Sequence, residues 1–494
     1  MRLARTLIGM VHLAPLPGSP RWGGSMAEVV AAALHDARAL VEGGMDALLL
    51  ENYHMNRTWG APTAPSHASP RSRIAPIAEH LSARLGRRPA SPRTATPALE
   101  SRLLRRARRR VCTMLALASM LASVVAGCRT VAPPDPARVT ALSGELGQLL
   151  LVGFRGTDAD AEADLDRLLC RVRAGGILLF GRNIVDAAQV ARLTARIRER
   201  ARRCGERRPL VAVDAEGGRV MRLGPAAGYA PTLSAEELGA DNDFALTELE
   251  ARRIGRMLHA AGINWNLAPV VDVGYNPANP VIVGFGRSFS ANPRLVAVQA
   301  GAWIRGMHAA GVLTTLKHFP GHGSSFGDSH HGFVDVTETA DPNLELLPYR
   351  ALIAEGLADS IMTAHVFNRR LDPRHPATLS APIITGLLRG QLGFLGLVVS
   401  DDLRMGAIEQ AYGIDHAALL TLLAGVDVML IAEDRLPDGR SAAEVALAAL
   451  RQALDDGRLP LDRAATALAR VRALKTRSIT WGGLEETRDL GPRW

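Results

Sequence analysis

The chain has 494 residues, 47% of them hydrophobic, which suffices for one large core and leaves room for two or three domains. Its net charge of +9 would suit a nucleic-acid surface, but residues 57–110 alone hold thirteen arginines against two glutamates. The remainder is therefore near neutral or slightly acidic, which excludes nucleic acid as a partner of the main body.

In chain order, residues 7–50 read as one βαβ unit. The apolar run LIGMVHL leads through a Pro/Gly turn to an amphipathic helix from Met26 to about Glu42, which Gly43-Gly44 ends before the strand DALLL. Residues 54–101 are rich in Pro, Arg, Ser and Ala without sustained periodicity and read as a disordered linker. In residues 102–128 a cluster of arginines precedes the apolar run Val111 to Val125 and then Ala126-Gly127-Cys128. A basic start, an apolar stretch too short to span a bilayer and small residues before a cysteine make a lipoprotein-type signal. Cys128 is the expected lipidation site, with translation expected to begin near Leu103 or Leu104. The product would be exported and anchored to the membrane by lipid on the periplasmic or cell-envelope side; it would be cytoplasmic if the signal is not used. Residues 129–140 form a tether.

From 141 to 478, apolar strands and helical patterns alternate. The strands are GQLLLVGF, GGILLF, PLVAVDAEGG, INWNLAPVVDVG, VLTTLKHF, SIMTAHV, GLVVSDDL and DVMLIA. Near-continuous apolar strands between helices predict a parallel sheet buried on both faces, and eight of them predict an α/β fold closed as a (β/α)8 TIM-type barrel; an open doubly wound sheet is the alternative. Residues 479–494 form a tail. The polar words DAEGGR, KH, TAH and SDD all stand at strand C-terminal ends, where a barrel carries its active site.

The densest of these words is Lys317 to Gly332, KHFPGHGSSFGDSHHG, and Lys317 and Lys475 are the only lysines of the chain. Four histidines suggest a metal. Pro320 and Gly321 nevertheless keep His318 and His322 off one helical face, and no cysteine lies nearby. Neither a metal nor a cofactor is expected.

The words VDAEGGRVMR, NLAPVVDV, GRSF, KHFPGHG, DSH and SDDLRM together resemble glycoside hydrolase family 3, and in particular its single-domain β-N-acetylhexosaminidases, from about Leu142 to Leu474. That resemblance implies Asp401 as nucleophile, His330 as general acid/base with Asp328 as its dyad partner, and Asp214, Arg222, Arg287, Lys317 and His318 as sugar-binding residues. It implies hydrolysis of terminal β-linked N-acetylglucosamine from peptidoglycan fragments, with no cofactor. The chemistry agrees: a retaining glycosidase needs a carboxylate beneath the anomeric carbon and a proton donor to the leaving oxygen. Asp401 ends an apolar strand, and its neighbour Asp402 is set aside because adjacent strand residues point to opposite sides. The chain departs from the family pattern at Ser324-Ser325, where Asp-Thr is usual, which bears on the natural substrate.

The first fifty residues, with MVHLAPLPGSPRWGG and EGGMDALLLEN, resemble the BtpA-like family. One βαβ unit cannot close a barrel, so the segment reads as a truncated fragment with no activity carried over. Two competing classes follow: a non-catalytic lipoprotein that binds muropeptides, and a BtpA-like assembly factor. Water and phosphate are both admissible acceptors, and the oligomeric state leaves no mark in the sequence. Cys170 and Cys204 fall near the C-terminal ends of the first two barrel helices, so a disulfide between them is expected.

Overall fold

The computed structural model describes residues 8–12, 47–51 and 136–482, with 161–162 and 207 excepted. The chain divides into two units, Met1–Arg129 and Thr130–Trp494. In the first, strands Ile8–His12 and Ala47–Glu51 pair in parallel, Ile8 opposite Ala47 and His12 opposite Glu51. Parallel pairing is what a βαβ unit requires, since a hairpin would pair antiparallel. The helix expected between them, the linker and the signal segment with Cys128 lie outside the described residues.

The second unit is built on one eight-stranded parallel sheet. Its strands are β1 (Leu150–Gly153), β2 (Gly176–Leu179), β3 (Leu210–Val213), β4 (Trp265–Asn266), β5 (Thr315–Phe319), β6 (Ser360–Thr363), β7 (Leu397–Asp402) and β8 (Val428–Ile431). They neighbour one another in chain order, and β8 pairs with β1 through Met429–Leu150 and Ile431–Val152. Bridges Trp265–Leu313 and Val270–Lys317 join β4 to β5 and complete the circle. All eight expected strands are present. Their residues are buried almost without exception, because helices cover the outside while side chains fill the interior.

Helix formation follows the apolar stripe. Helix Ala187–Arg203 buries Val190, Leu193, Thr194, Ile197 and Ala201, positions spaced by three and four, and Asp186 caps it by accepting from Gln189 N. The unit's edges differ slightly from expectation: helix Pro136–Glu145 begins inside the segment read as tether, and the last helix, Leu461–Gly482, runs past 478. Arg138 Nη2 lies 2.7 Å from Asp462 Oδ1 of that last helix, so the entering segment is held against the closing one.

Charge also ties the bottom of the barrel. Asp427, fully buried at the start of β8, meets Arg389, Arg463 and Arg470 at 2.6, 3.0 and 3.1 Å. Two covering helices are thereby pinned to the strand ends.

Cys170, in the helical stretch Arg167–Val172, is disulfide-bonded to Cys204, which ends helix Ala187–Arg203; their Cα atoms are 5.0 Å apart. The bond closes a loop of 34 residues and is exposed on the Cys170 side. Chain entropy predicts that Cys204→Ser will lose about 4 kcal/mol of unfolding free energy. Urea titration with and without dithiothreitol checks this: reductant should lower the midpoint of the native chain and leave that of the variant where it is.

Candidate active site

Beyond β3 the chain turns through a hairpin, Ala215–Gly217 against Val220–Met221, whose turn places Gly217 and Gly218 at φ +94° and +57°. Side chains other than glycine rarely adopt these angles, which accounts for the Gly-Gly pair. Asn266 of β4 fixes the entry, accepting from Ala215 N at 3.0 Å and donating to Ala215 O at 2.9 Å. Asp214, Glu216 and Arg222 are thereby presented at the top of the barrel.

The floor is a network of buried ions. Lys317 Nζ, from the middle of β5, lies 2.8 Å from Asp214 Oδ1 and 2.6 Å from Glu216 Oε1. Arg287 grips Glu216 with two parallel bonds, Nε to Oε2 at 2.8 Å and Nη2 to Oε1 at 2.9 Å. Burial opposes the Glu216 anion, but Arg287 and Lys317 outweigh it and hold the carboxyl far below its usual range. His318 donates Nδ1–H to Asp272 Oδ2 at 2.6 Å, and its Nε2 stands 3.3 Å from Arg287 Nη2. Arg222 Nη2 is 3.7 Å from Asp214 Oδ2, while its buried Nε has no hydrogen-bond partner among the described residues.

The loop after β5 stands on its own scaffold. Asn279 Nδ2 donates to His322 O at 2.8 Å, and Asn276 Nδ2 donates to the carbonyls of Ser324 and Ser325 at 3.0 and 3.1 Å. Gly323 lies so close to Val273 that a Cβ would come within 1.9 Å of its carbonyl oxygen. Buried His322 spends both ring nitrogens on Ser325 Oγ (2.7 Å) and Ser329 Oγ (3.2 Å), and burial pushes it down to about 4, so it is neutral. The two serines of the family departure are buried in this scaffold and do not line the cavity.

The rim of the loop is different. His330 is 59% exposed on its side chain, and its Nδ1 stands 2.6 Å from Asp328 Oδ1, which also accepts from His330 N at 2.9 Å. A carboxylate only accepts, so Nδ1 carries the proton and Nε2 faces outward. Burial opposes the Asp328 anion, yet the His330 donors keep it below the usual aspartate range. The far end of the loop is stapled to the strand that follows β6: Val334–Asp335 pairs with Val366–Phe367, and the rings of Phe333 and Phe367 lie 5.2 Å apart.

Asp401 and Asp402, which end β7, are both among the residues that line the cavity. Their bonding differs. Asp402 Oδ1 accepts from Ala432 N at 2.9 Å and Arg404 N at 3.1 Å, and burial, aided by the Asp401 charge, still pushes it up to about 6. Around Asp401 desolvation opposes the anion, but the imidazoles of His365 and His318 and the Asp402 N–H outweigh it and hold the carboxyl below its usual range. His365, which follows β6, donates Nε2–H to Asp402 O at 2.8 Å.

These groups surround one cavity of about 500 Å³, a size suited to a small ligand. Asp214, Arg222, Arg287, Lys317 and His318 line it, and so do Asp328, His330 and Asp401, so every implied catalytic and sugar-binding residue opens into the same space. Sequence reasoning missed Glu216, Asp272 and His365. Glu216 and His365 sit in the polar words DAEGGR and TAH, and that position was their signal; Asp272 interrupts the apolar run APVVDV. Among the described residues no group of three His, Cys, Asp or Glu side chains is placed to hold a metal ion.

Behind the loop, Glu345 is buried against Gly321, with Oε1 3.0 Å from Tyr275 Oη. Tyr275 Oη has one proton and two acceptors in reach, Glu345 Oε1 and, at 3.1 Å, Thr339 O. Burial pushes Glu345 up to about 7. A raised carboxyl binds its proton more tightly folded than unfolded, so the stability it gives is full below about pH 4.5 and is lost as pH rises through 7. Glu345→Gln keeps the shape and a donor, and should remove this loss, on the order of 3 kcal/mol at pH 8. Denaturant titrations at pH 5 and pH 8 should show the difference between variant and native chain only at the higher pH.

Comparison with known proteins agrees with this geometry. Residues 141–474 match the glycosyl hydrolase family 3 N terminal domain, and residues 3–83 match the BtpA family, running past the first fifty residues into the segment read as linker. Beta-hexosaminidase A of Pseudoalteromonas piscicida is 36% identical over 368 residues, 67% of this chain, which spans only 60% of that relative. A beta-hexosaminidase of Xylella fastidiosa (strain M23) is 41% identical over 298 residues, covering 58% of this chain and 84% of its own length. Among solved structures, a family 3 beta-N-acetylglucosaminidase from Paenibacillus superposes with a TM-score of 0.64 at 39% identity, over 68% of this chain and 62% of its own. A beta-N-acetylhexosaminidase from Beutenbergia cavernae gives 0.62 at 33%, over 68% of this chain and 98% of its own. The chain belongs to glycosyl hydrolase family 3 and is a glycoside hydrolase.

Proposed function

We propose that the chain is a retaining β-N-acetylhexosaminidase that removes terminal β-linked N-acetylglucosamine, with peptidoglycan fragments as its natural substrates. The observation that carries this reading is the pairing, on one cavity wall, of an Asp401 held as the anion with an accessible His330 whose Nδ1 is committed to Asp328. The sugar ring rests on the ionic floor, where Asp214 and Lys317 bind its hydroxyls and the unpartnered Arg222 Nε supplies a further donor. Arg287 and His318 hold that floor in place.

Asp401 attacks the anomeric carbon as the bond to the leaving oxygen breaks, and His330 Nε2–H protonates that oxygen. His330 enters this step as the imidazolium, steadied by Asp328, and leaves it as the neutral Nδ1–H tautomer that Asp328 holds in place. In the second half, Nε2 takes a proton from the incoming water, and the hydroxide oxygen displaces Asp401.

Release of nitrophenol from the aryl β-N-acetylglucosaminide tests the activity. Asp401→Ala should abolish turnover of every substrate. His330→Ala should cost about 10²–10⁴-fold on unactivated disaccharides, while a dinitrophenyl leaving group, which hardly needs a proton, should still be displaced. Deglycosylation would then be slow for want of a base, and azide should restore it. Equal loss on both substrate kinds without azide rescue would remove His330 from the role of acid/base.

We further propose that the product is an exported lipoprotein anchored through Cys128, since two or more lipid chains give stable attachment. Cys128→Ser should shift the native product from membrane to soluble fractions on ultracentrifugation.

A further inference from the structure

The face opposite the cavity carries charge that the barrel does not use. The segments that lead into β2 and β3 are neighbours at the bottom of the barrel, where the disulfide between Cys170 and Cys204 holds them together. Arg173, Arg202 and Arg208 stand on these two segments; all three are exposed, and none makes an ion pair among the described residues. Arg171 and Arg203 flank them, also exposed. The one carboxylate nearby in either segment, Glu206, is already taken by Lys475 at 2.8 Å. Like charges gathered without a counter-charge repel, so the arrangement calls for an anion from outside the chain.

The barrel is entered from the same face. Arg138 ties helix Pro136–Glu145 to Asp462, and the neighbouring Arg463 reaches Asp427 at the start of β8. The stretch that follows this helix, Leu146–Leu149, touches the patch, since Gln148 Nε2 donates to Arg173 O at 2.8 Å. Cys128 stands eight residues before Pro136, a reach of about 27 Å at full extension. Helix Phe244–Ala260, one of those that cover the barrel wall, already spans about 26 Å over its 17 residues, and loops add to the depth at both ends. A lipid on Cys128 therefore keeps the bottom face, and not the mouth of the cavity, close to a membrane.

Resting on the lipid-anchor reading, we propose that Arg173, Arg202 and Arg208 dock the barrel on the phosphate groups of an anionic lipid surface, with the catalytic cavity turned away from it. A guanidinium recognises phosphate oxygens through paired, charge-assisted hydrogen bonds, and each arginine near such a surface strengthens attachment about fivefold. The anchor supplies attachment and the patch supplies orientation. The enzyme thereby works on substrates that arrive from the side away from its own membrane.

The native product, purified from membranes and reconstituted into vesicles, tests this through the rate at which phenylglyoxal modifies each arginine, read by mass spectrometry. On vesicles containing about one-third phosphatidylglycerol, Arg173, Arg202 and Arg208 should react about fivefold more slowly than on phosphatidylcholine alone, and about 0.5 M salt should erase the difference. Arg369 and Arg440, exposed on loops at the cavity end, should react alike on both. When Arg173→Gln, Arg202→Gln and Arg208→Gln are combined, Arg171 and Arg203 should lose the protection they have in the native chain, while hydrolysis of the nitrophenyl glycoside is unchanged. Equal modification on both kinds of vesicle, in a protein that sediments with them, overturns the docking and spares the anchor. Protection by inorganic phosphate alone, as strong as that by the anionic vesicles, assigns the patch to a free anion and overturns the membrane docking. A product that does not sediment with the vesicles overturns anchor and docking together.

Discussion

Lys317, buried between Asp214 and Glu216, is the constraint on which the site depends. An ammonium so enclosed exists only with its counter-charges in contact, and removing one partner of such a pair typically costs about 3–5 kcal/mol. Its partners come from the end of β3 and from the hairpin beyond it, and Arg287 adds the loop after β4. Three adjacent strands are thus locked at fixed distances. Apolar residues of equal volume would hold these segments together as well, so stability does not account for the charges. They account for a floor whose polar atoms are fixed before the sugar arrives, and positioning of that kind lowers the cost of binding and of reaction.

Above this floor, residues of one type take different roles from their surroundings alone. His322 and His330 are eight residues apart in one loop. The first is sealed, neutral and bonded at both nitrogens, while the second keeps one nitrogen open to the cavity. Asp401 and Asp402 are neighbours in one strand. One is kept anionic by facing imidazoles, and the other spends an oxygen on two backbone amides and is pushed toward neutrality. An attacking carboxylate must be ionised, and the environment favours the anion more at Asp401, the proposed nucleophile, than at Asp402.

The sequence made the barrel legible because its strands are apolar throughout, a pattern that only a doubly covered parallel sheet produces. The strand-end words located the site for the same reason: a polar residue that interrupts such a run marks the end of burial. The links between words were hidden. Asp272 meets His318 across 46 positions and Glu216 meets Arg287 across 71, and no local periodicity reports contacts made by closing a barrel. The choice of Asp401 over Asp402 rested on alternation, which assumes a regular strand, whereas β7 shifts register against β8 between Val399 and Asp402.

The opposite burial of the two proposed reacting groups follows from what each must exchange. A carboxylate that forms a covalent bond to carbon trades nothing with solvent, and closure around it strengthens every interaction that stabilises the developing positive charge. The acid/base must first give a proton and then recover one from water, so a sealed position would trap it in one protonation state. His330 therefore stands on the rim, at 59% side-chain exposure, while Asp401 lies beneath it beside the ionic floor. Exposure alone would leave the imidazole free to turn. Asp328 prevents this, because a single oxygen holds both Nδ1 and the backbone N–H of His330, so ring and main chain are fixed together and Nε2 keeps its aim.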